Sequence, residues 1–157
     1  MKSASEAICL QEIPNEISLS LAISNCPCHC EDCHSQYLWE DIGRNAFEVL
    51  CQQLKQYGDL ITCVLFLGGD DSNQKTDLIY CLKYIRLNYP NLKTALYSGF
   101  KDVSSDILNL LDYVKTGPYC KDLGPLNNPK TNQRLYKIDK GVLIDITELF
   151  WKKPYQL

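Results

Sequence analysis

Four cysteines stand within eight residues in the segment Asn25-Cys26-Pro27-Cys28-His29-Cys30-Glu31-Asp32-Cys33-His34. Three of them, Cys26, Cys30 and Cys33, have the spacing C-x3-C-x2-C. Thiolates are the soft donors that hold iron–sulfur clusters. Three thiolates leave one iron of a [4Fe–4S] cluster without a protein ligand, free to bind a substrate or cofactor. The spacing therefore points to chemistry at an open metal site rather than to a structural staple. Nine cysteines in all is an odd number, and no secretory signal is read at the N-terminus, so a disulfide framework is not expected.

The competing reading is structural zinc, held by Cys26, Cys28 or Cys30 with Cys33 and His34. Structural zinc takes four ligands, often as two separated pairs. A second, distant pair is missing here. Cys28 is either a spare thiol or an alternative ligand; its neighbours already supply the expected spacing, and it is left out of the ligand set. Cys51, Cys63 and Cys81 fall among apolar residues and are read as small buried hydrophobes. Arg134 is read as a surface charge at a strand edge, and His29 and His34 as loop residues of little weight.

These residues need elements to position them. Ile17, Leu19, Leu21 and Ile23 alternate with small residues, which predicts a strand running straight into the cysteine loop. Asp41 or Asn45 caps a helix reaching about Tyr57. Residues 61–67 form an apolar, β-branched run, as in a strand buried on both faces, and Gly68-Gly69-Asp70-Asp71 breaks it. A helix over 75–88, a strand over 92–97, a short helix from Ser104 or Ser105 to Leu111, and a strand over 113–116 follow. A loop over 117–131 leads to two closing strands, 134–138 and 142–145, around a turn at 139–141.

The order β-α-β-α-β-α-β predicts an α/β fold with a mostly parallel sheet. The units are too few for a closed eight-fold barrel, so an open, partial (β/α) barrel is expected. Ligands of such sheets sit at the carboxyl ends of the strands. The cysteine loop and the Gly68-Gly69-Asp70 turn both follow strands directly, which places them on one face.

A length of 157 residues predicts one domain, 1–157, with 117–157 a loop-rich closing segment. Net charge is −3 with no basic block, which gives no basis for nucleic-acid binding through phosphates. No apolar run reaches membrane-span length, and the N-terminus lacks an apolar leader, so a cytoplasmic protein that uses no membrane is expected.

The cysteine triplet after a first strand, followed by a Gly-Gly-acidic turn after the second, resembles the radical S-adenosylmethionine superfamily. Within it, Ile23-Ser24-Asn25-Cys26-Pro27-Cys28-His29-Cys30, Cys33-His34-Ser35 with Leu38-Trp39, Phe66-Leu67-Gly68-Gly69-Asp70, Tyr97-Ser98-Gly99 and Thr131-Asn132-Gln133-Arg134-Leu135-Tyr136 look like the activating proteins of anaerobic ribonucleoside-triphosphate reductase. The resemblance spans most of the chain, about 17–147.

That resemblance implies a set of roles. Cys26, Cys30 and Cys33 match the ligands of a [4Fe–4S] cluster. Asp32, Cys33 and His34 match the segment lining the S-adenosylmethionine site, and Gly68, Gly69 and Asp70 the contact to its amino group. The residue before the last cysteine, often aromatic in the superfamily, is Asp32 here, so a contact to the adenine at this position is implied through the backbone. The implied activity forms a 5′-deoxyadenosyl radical and installs a glycyl radical on the large reductase subunit, with an external electron donor such as a flavodoxin. The alternatives are a radical S-adenosylmethionine enzyme acting on a small molecule and a non-catalytic iron–sulfur or zinc module.

Overall fold

Strands β1 (Lys2–Cys9), β2 (Ser18–Ile23), β3 (Arg44–Asn45), β4 (Cys63–Leu67), β5 (Lys93–Tyr97), β6 (Tyr113–Thr116), β7 (Arg134–Asp139) and β8 (Val142–Asp145) join in one sheet. Their order is β3-β1-β2-β4-β5-β6-β7-β8 in the computed structural model, which describes residues 1–152. The last residues of the expected closing segment, 153–157, lie outside the described ones. Helices α1 (Ala46–Tyr57), α2 (Lys75–Asn88) and α3 (Ser105–Leu108) connect the central strands.

The centre of the sheet is parallel: β2 pairs with β4, β4 with β5, and β5 with β6. The flanks are antiparallel, through β1–β2, β1–β3, β6–β7 and β7–β8. The expectation of a mostly parallel sheet is thus corrected to a mixed one. Helical crossovers go with parallel pairing in the centre; at the flanks the chain returns without a crossover helix, by the 117–133 loop to β7 and by the tight 140–141 turn to β8.

The alternation in β2 separates two covered faces rather than core from solvent, for all six of its residues are buried. Leu19, Leu21 and Ile23 point to the helices and pack with Val49, Leu50, Val64, Phe66, Leu82 and Leu96. Ser18, Ser20 and Ala22 lie beside Cys63, Leu65 and Leu67 on the other face. There Ile13 packs on Cys63, Leu65, Ala95, Tyr113 and Leu135. Each fully buried Leu or Phe contributes about 1.5–3 kcal/mol, so the helical side carries most of the stability.

Asn45 caps α1: its side-chain oxygen accepts from the Phe47 and Glu48 amides at 3.0 and 3.1 Å. That satisfies two of the donors a helix start leaves free. It also fixes where the chain leaves the cysteine loop. No helix among the described residues is long and apolar enough to cross a membrane.

Candidate functional site

The parallel strands end on one side of the sheet, and the loops that follow them make the site. After β2 the chain turns at Asn25, whose φ is +59°. His29 and Asp32 also have positive φ, +42° and +56°. Asn and Asp tolerate this region better than most residues. The result alternates: Cys26, Cys28, Cys30 and Cys33 are half-buried, while Asn25, Pro27, His29, Glu31 and Asp32 are exposed.

The loop is pinned along its length. The Cys26 amide donates to the Leu38 carbonyl at 2.9 Å, and the Cys33 amide to the Cys30 carbonyl at 3.1 Å. His29 stacks on Trp39 with ring centroids 4.3 Å apart. The Ser35 amide donates to Cys33 Sγ at 3.4 Å. Asp32 pairs with Lys121 at 3.2 Å, and His34 leans on Tyr119 at 5.4 Å.

The second wall is the turn after β4. Gly68 and Gly69 have φ of +93° and +98°, which side chains rarely adopt. A Cβ at Gly69 would also meet Met1 Sδ at 2.8 Å. Asp70 accepts a 2.6 Å hydrogen bond from Ser98 Oγ. Burial pushes the Asp70 carboxyl above its ordinary range, against the pull of that hydrogen bond.

Two contacts lock the walls together. Gln74 Nε2 donates to the Ser24 carbonyl at 3.2 Å, tying the turn to the start of the cysteine loop. Cys28 lies against Gly99, on the loop after β5 and next to the Ser98 that holds Asp70, where an added Cβ would be 2.6 Å from its sulfur. The predicted residues Cys26, Cys30, Cys33, Gly68, Gly69 and Asp70 are thus on loops that touch. Arg134 sits apart, 3.9 Å from Asp145 and beside Trp151.

The donor chemistry fits an iron–sulfur group. As the side chains stand, no three Cys, His, Asp or Glu among the described residues converge on one metal ion. Ligands to three different irons of a cluster stand farther apart than ligands to one ion. Among the described residues, Ser24 Oγ, Trp39 Nε1 and Gln74 Oε1 are buried without hydrogen-bond partners, and all three border the cysteine loop. Buried polar atoms are rarely left so; Ser18 Oγ, at the opposite end of β2, is a fourth such atom among the described residues. Burial first, then Cys26 and Cys30, push the Cys28 thiol up to about 12.

Sequence reasoning assigned no site role to three residues of this region. Ser98 holds Asp70, Gln74 bridges the walls, and Lys115 lies 9% exposed at the end of β6. A lysine inside the apolar strand Tyr113–Thr116 was the available signal for the last of these. The other two act only through tertiary contacts, which no local pattern encodes.

No curated protein and no solved structure matches the chain. A family model described as a 4Fe-4S single cluster domain matches residues 17–138, from the strand that delivers the cysteine loop to the first strand of the closing hairpin. That match takes in most of the chain and every element of the site just described, and the protein accordingly belongs to the 4Fe-4S single cluster domain family.

Proposed function

We propose that this protein is a radical S-adenosylmethionine enzyme that activates an anaerobic ribonucleoside-triphosphate reductase by installing a glycyl radical. The observation that carries the reading is the contact between two loops: the cysteine triplet Cys26, Cys30 and Cys33, and the Gly68-Gly69-Asp70 turn. An electron-carrying module has use for the first and none for the second. The four parallel strands are read as the open partial barrel that holds both.

Cys26, Cys30 and Cys33 would hold the [4Fe–4S] cluster, which when bound supplies the electron that splits the sulfonium bond of S-adenosylmethionine. Gly68 and Gly69 let the backbone approach the methionine amino group, for a side chain on either would be strained. Asp70 is oriented as acceptor by Ser98. Asp32, Cys33 and His34 line the cofactor on the cluster side. Hydrogen removal occurs on a glycine of the partner reductase, and the first electron comes from an external donor such as a flavodoxin.

A protein substrate is favoured over a small molecule by how the inner face of the sheet is used. Ile13 is completely buried there against Tyr113 and Leu135, and the Tyr97 hydroxyl donates to the Glu12 carbonyl. Protein fills the interior beneath the site, so a substrate must arrive from the loop side. The test is anaerobic reconstitution with iron and sulfide, then dithionite and S-adenosylmethionine. 5′-Deoxyadenosine is the expected product, and a glycyl radical signal follows on adding the reductase. An intact cluster that yields no 5′-deoxyadenosine refutes the reading.

A further inference from the structure

Strand β6 carries a charge where the sheet is otherwise apolar. Tyr113 and Lys115 lie two residues apart and so share a face, the one on which Ile13, Leu65 and Leu135 pack. Lys115 is 9% exposed. Lysines are almost never this buried unless paired. Yet among the described residues its ammonium forms neither an ion pair nor a hydrogen bond; it stands 5.3 Å from the centroid of the Tyr97 ring. Burial lowers its pKa, and the groups that oppose this are Cys30, Cys28, Asp70 and Glu12, in that order.

The backbone explains why those groups are near. Lys115 pairs with Tyr97 in register, and the Ser98 amide donates to the Lys115 carbonyl at 2.8 Å. Ser98 in turn holds Asp70, and Gly99 touches Cys28. The backbone thus carries Lys115 to the end of the sheet where the cysteine loop and the glycine turn lie, and its ammonium sits in an environment of low dielectric, where charges act strongly over distance.

We propose that Lys115 is the counter-cation of the iron–sulfur cluster, a positioning residue that raises the cluster's reduction potential. A cluster on three thiolates gains one negative charge when it accepts an electron. A fixed buried cation stabilises that form more than the oxidised one, and net charge is among the levers that set such potentials. The Tyr97 ring holds the ammonium in place by a cation–π contact. The inference rests on family membership and the cluster, not on S-adenosylmethionine.

The experiment is a potentiometric titration of the reconstituted protein, followed by electron paramagnetic resonance, without S-adenosylmethionine. Lys115→Met is expected to shift the midpoint to more negative potential. Lys115→Arg should retain most of the original value, and Lys83→Met, which removes a charge from the exposed face of α2, should leave it unchanged. Lys115→Gln serves where methionine prevents cluster loading. A loaded Met or Gln variant with an unshifted midpoint overturns the proposal, as does an equal shift in Lys83→Met. A midpoint that stays put while S-adenosylmethionine affinity falls also overturns it, and assigns the lysine to a ligand carboxylate instead. Failure to cleave S-adenosylmethionine leaves this proposal standing, and an unshifted midpoint leaves the proposed enzyme activity standing.

Discussion

The contact between Cys28 and Gly99 gives a test of how the two walls of the site are joined. In Gly99→Ala the new methyl would lie 2.6 Å from Cys28 Sγ and 3.3 Å from its Cβ. The sulfur contact is the one that cannot persist, and one loop must move. Overpacking of this kind costs about 1–3 kcal/mol. For a chain of this size each kcal/mol moves the thermal midpoint by about 2–4 °C, so a loss of about 4–8 °C is expected for a cost of about 2 kcal/mol. Cys28→Ala removes the sulfur and leaves only the 3.3 Å contact to Cβ, which a small shift relieves. Alone it should cost about 1 kcal/mol for the lost buried atom. The double variant should then be more stable than the sum of the single losses, with a coupling of about 1–2 kcal/mol. Thermal and urea unfolding of the four apoproteins measure the cycle, and iron loading reports on the loop. Strict additivity would refute the claim that this contact joins the walls.

The other expectations are simpler to state. Ala at Cys26, Cys30 or Cys33 should abolish the cluster, read as iron and sulfide content, whereas Cys28→Ala should retain it; a Cys28 variant that fails to load makes Cys28 a ligand. Asp70→Asn should stabilise the apoprotein at pH 7, because burial raises the folded-state pKa of this carboxyl and the charged form is disfavoured. That gain should vanish as pH falls below the unfolded pKa, while binding of S-adenosylmethionine weakens; urea titrations at several pH values and equilibrium dialysis measure the two. Glu16 behaves oppositely. Burial works to raise its pKa, but hydrogen bonds with Lys93, Thr62 and Tyr113 overcome this and leave it below 4.5. Glu16→Gln should cost about 2 kcal/mol at pH 7. The cost should fade as pH drops through the folded pKa, and a pH-independent loss would contradict the assignment.

The cysteine loop and the glycine turn were legible because each is contiguous and each follows an apolar strand. The capped helix α1 was legible because Asn45 precedes an apolar-periodic run. The β7–β8 hairpin was legible from its turn at Asp139-Lys140-Gly141, even though every residue of β8 is exposed. Strand β1 was not. Its sequence Lys-Ser-Ala-Ser-Glu-Ala-Ile-Cys shows no alternation, and its residues are mostly half-buried or exposed. What makes it a strand is the ladder it forms with β2, from Ser3 opposite Ile23 to Cys9 opposite Ser18. Lys115 was missed for a related reason: the groups that oppose the cost of its burial come from three other loops.

The segment between β1 and β2 decides how the inner face of the sheet is filled. An open sheet with an empty concave face would offer a pocket for a small molecule. Here Glu12 and Ile13 occupy that face, and Glu16 closes its lower end with bonds to Tyr113 and Lys93. The inner surface is therefore spent on stability, and the chemistry is displaced to the rim formed by the cysteine loop, the glycine turn and Ser98-Gly99. A rim needs a substrate that brings its own enclosure. Under the proposed function, a glycine held on a loop of a large partner would meet that need, since the partner would exclude water from above as Ile13 and Tyr97 do from below. Lys115 lies at the boundary between the two, a buried charge between the filled interior and the rim of loops.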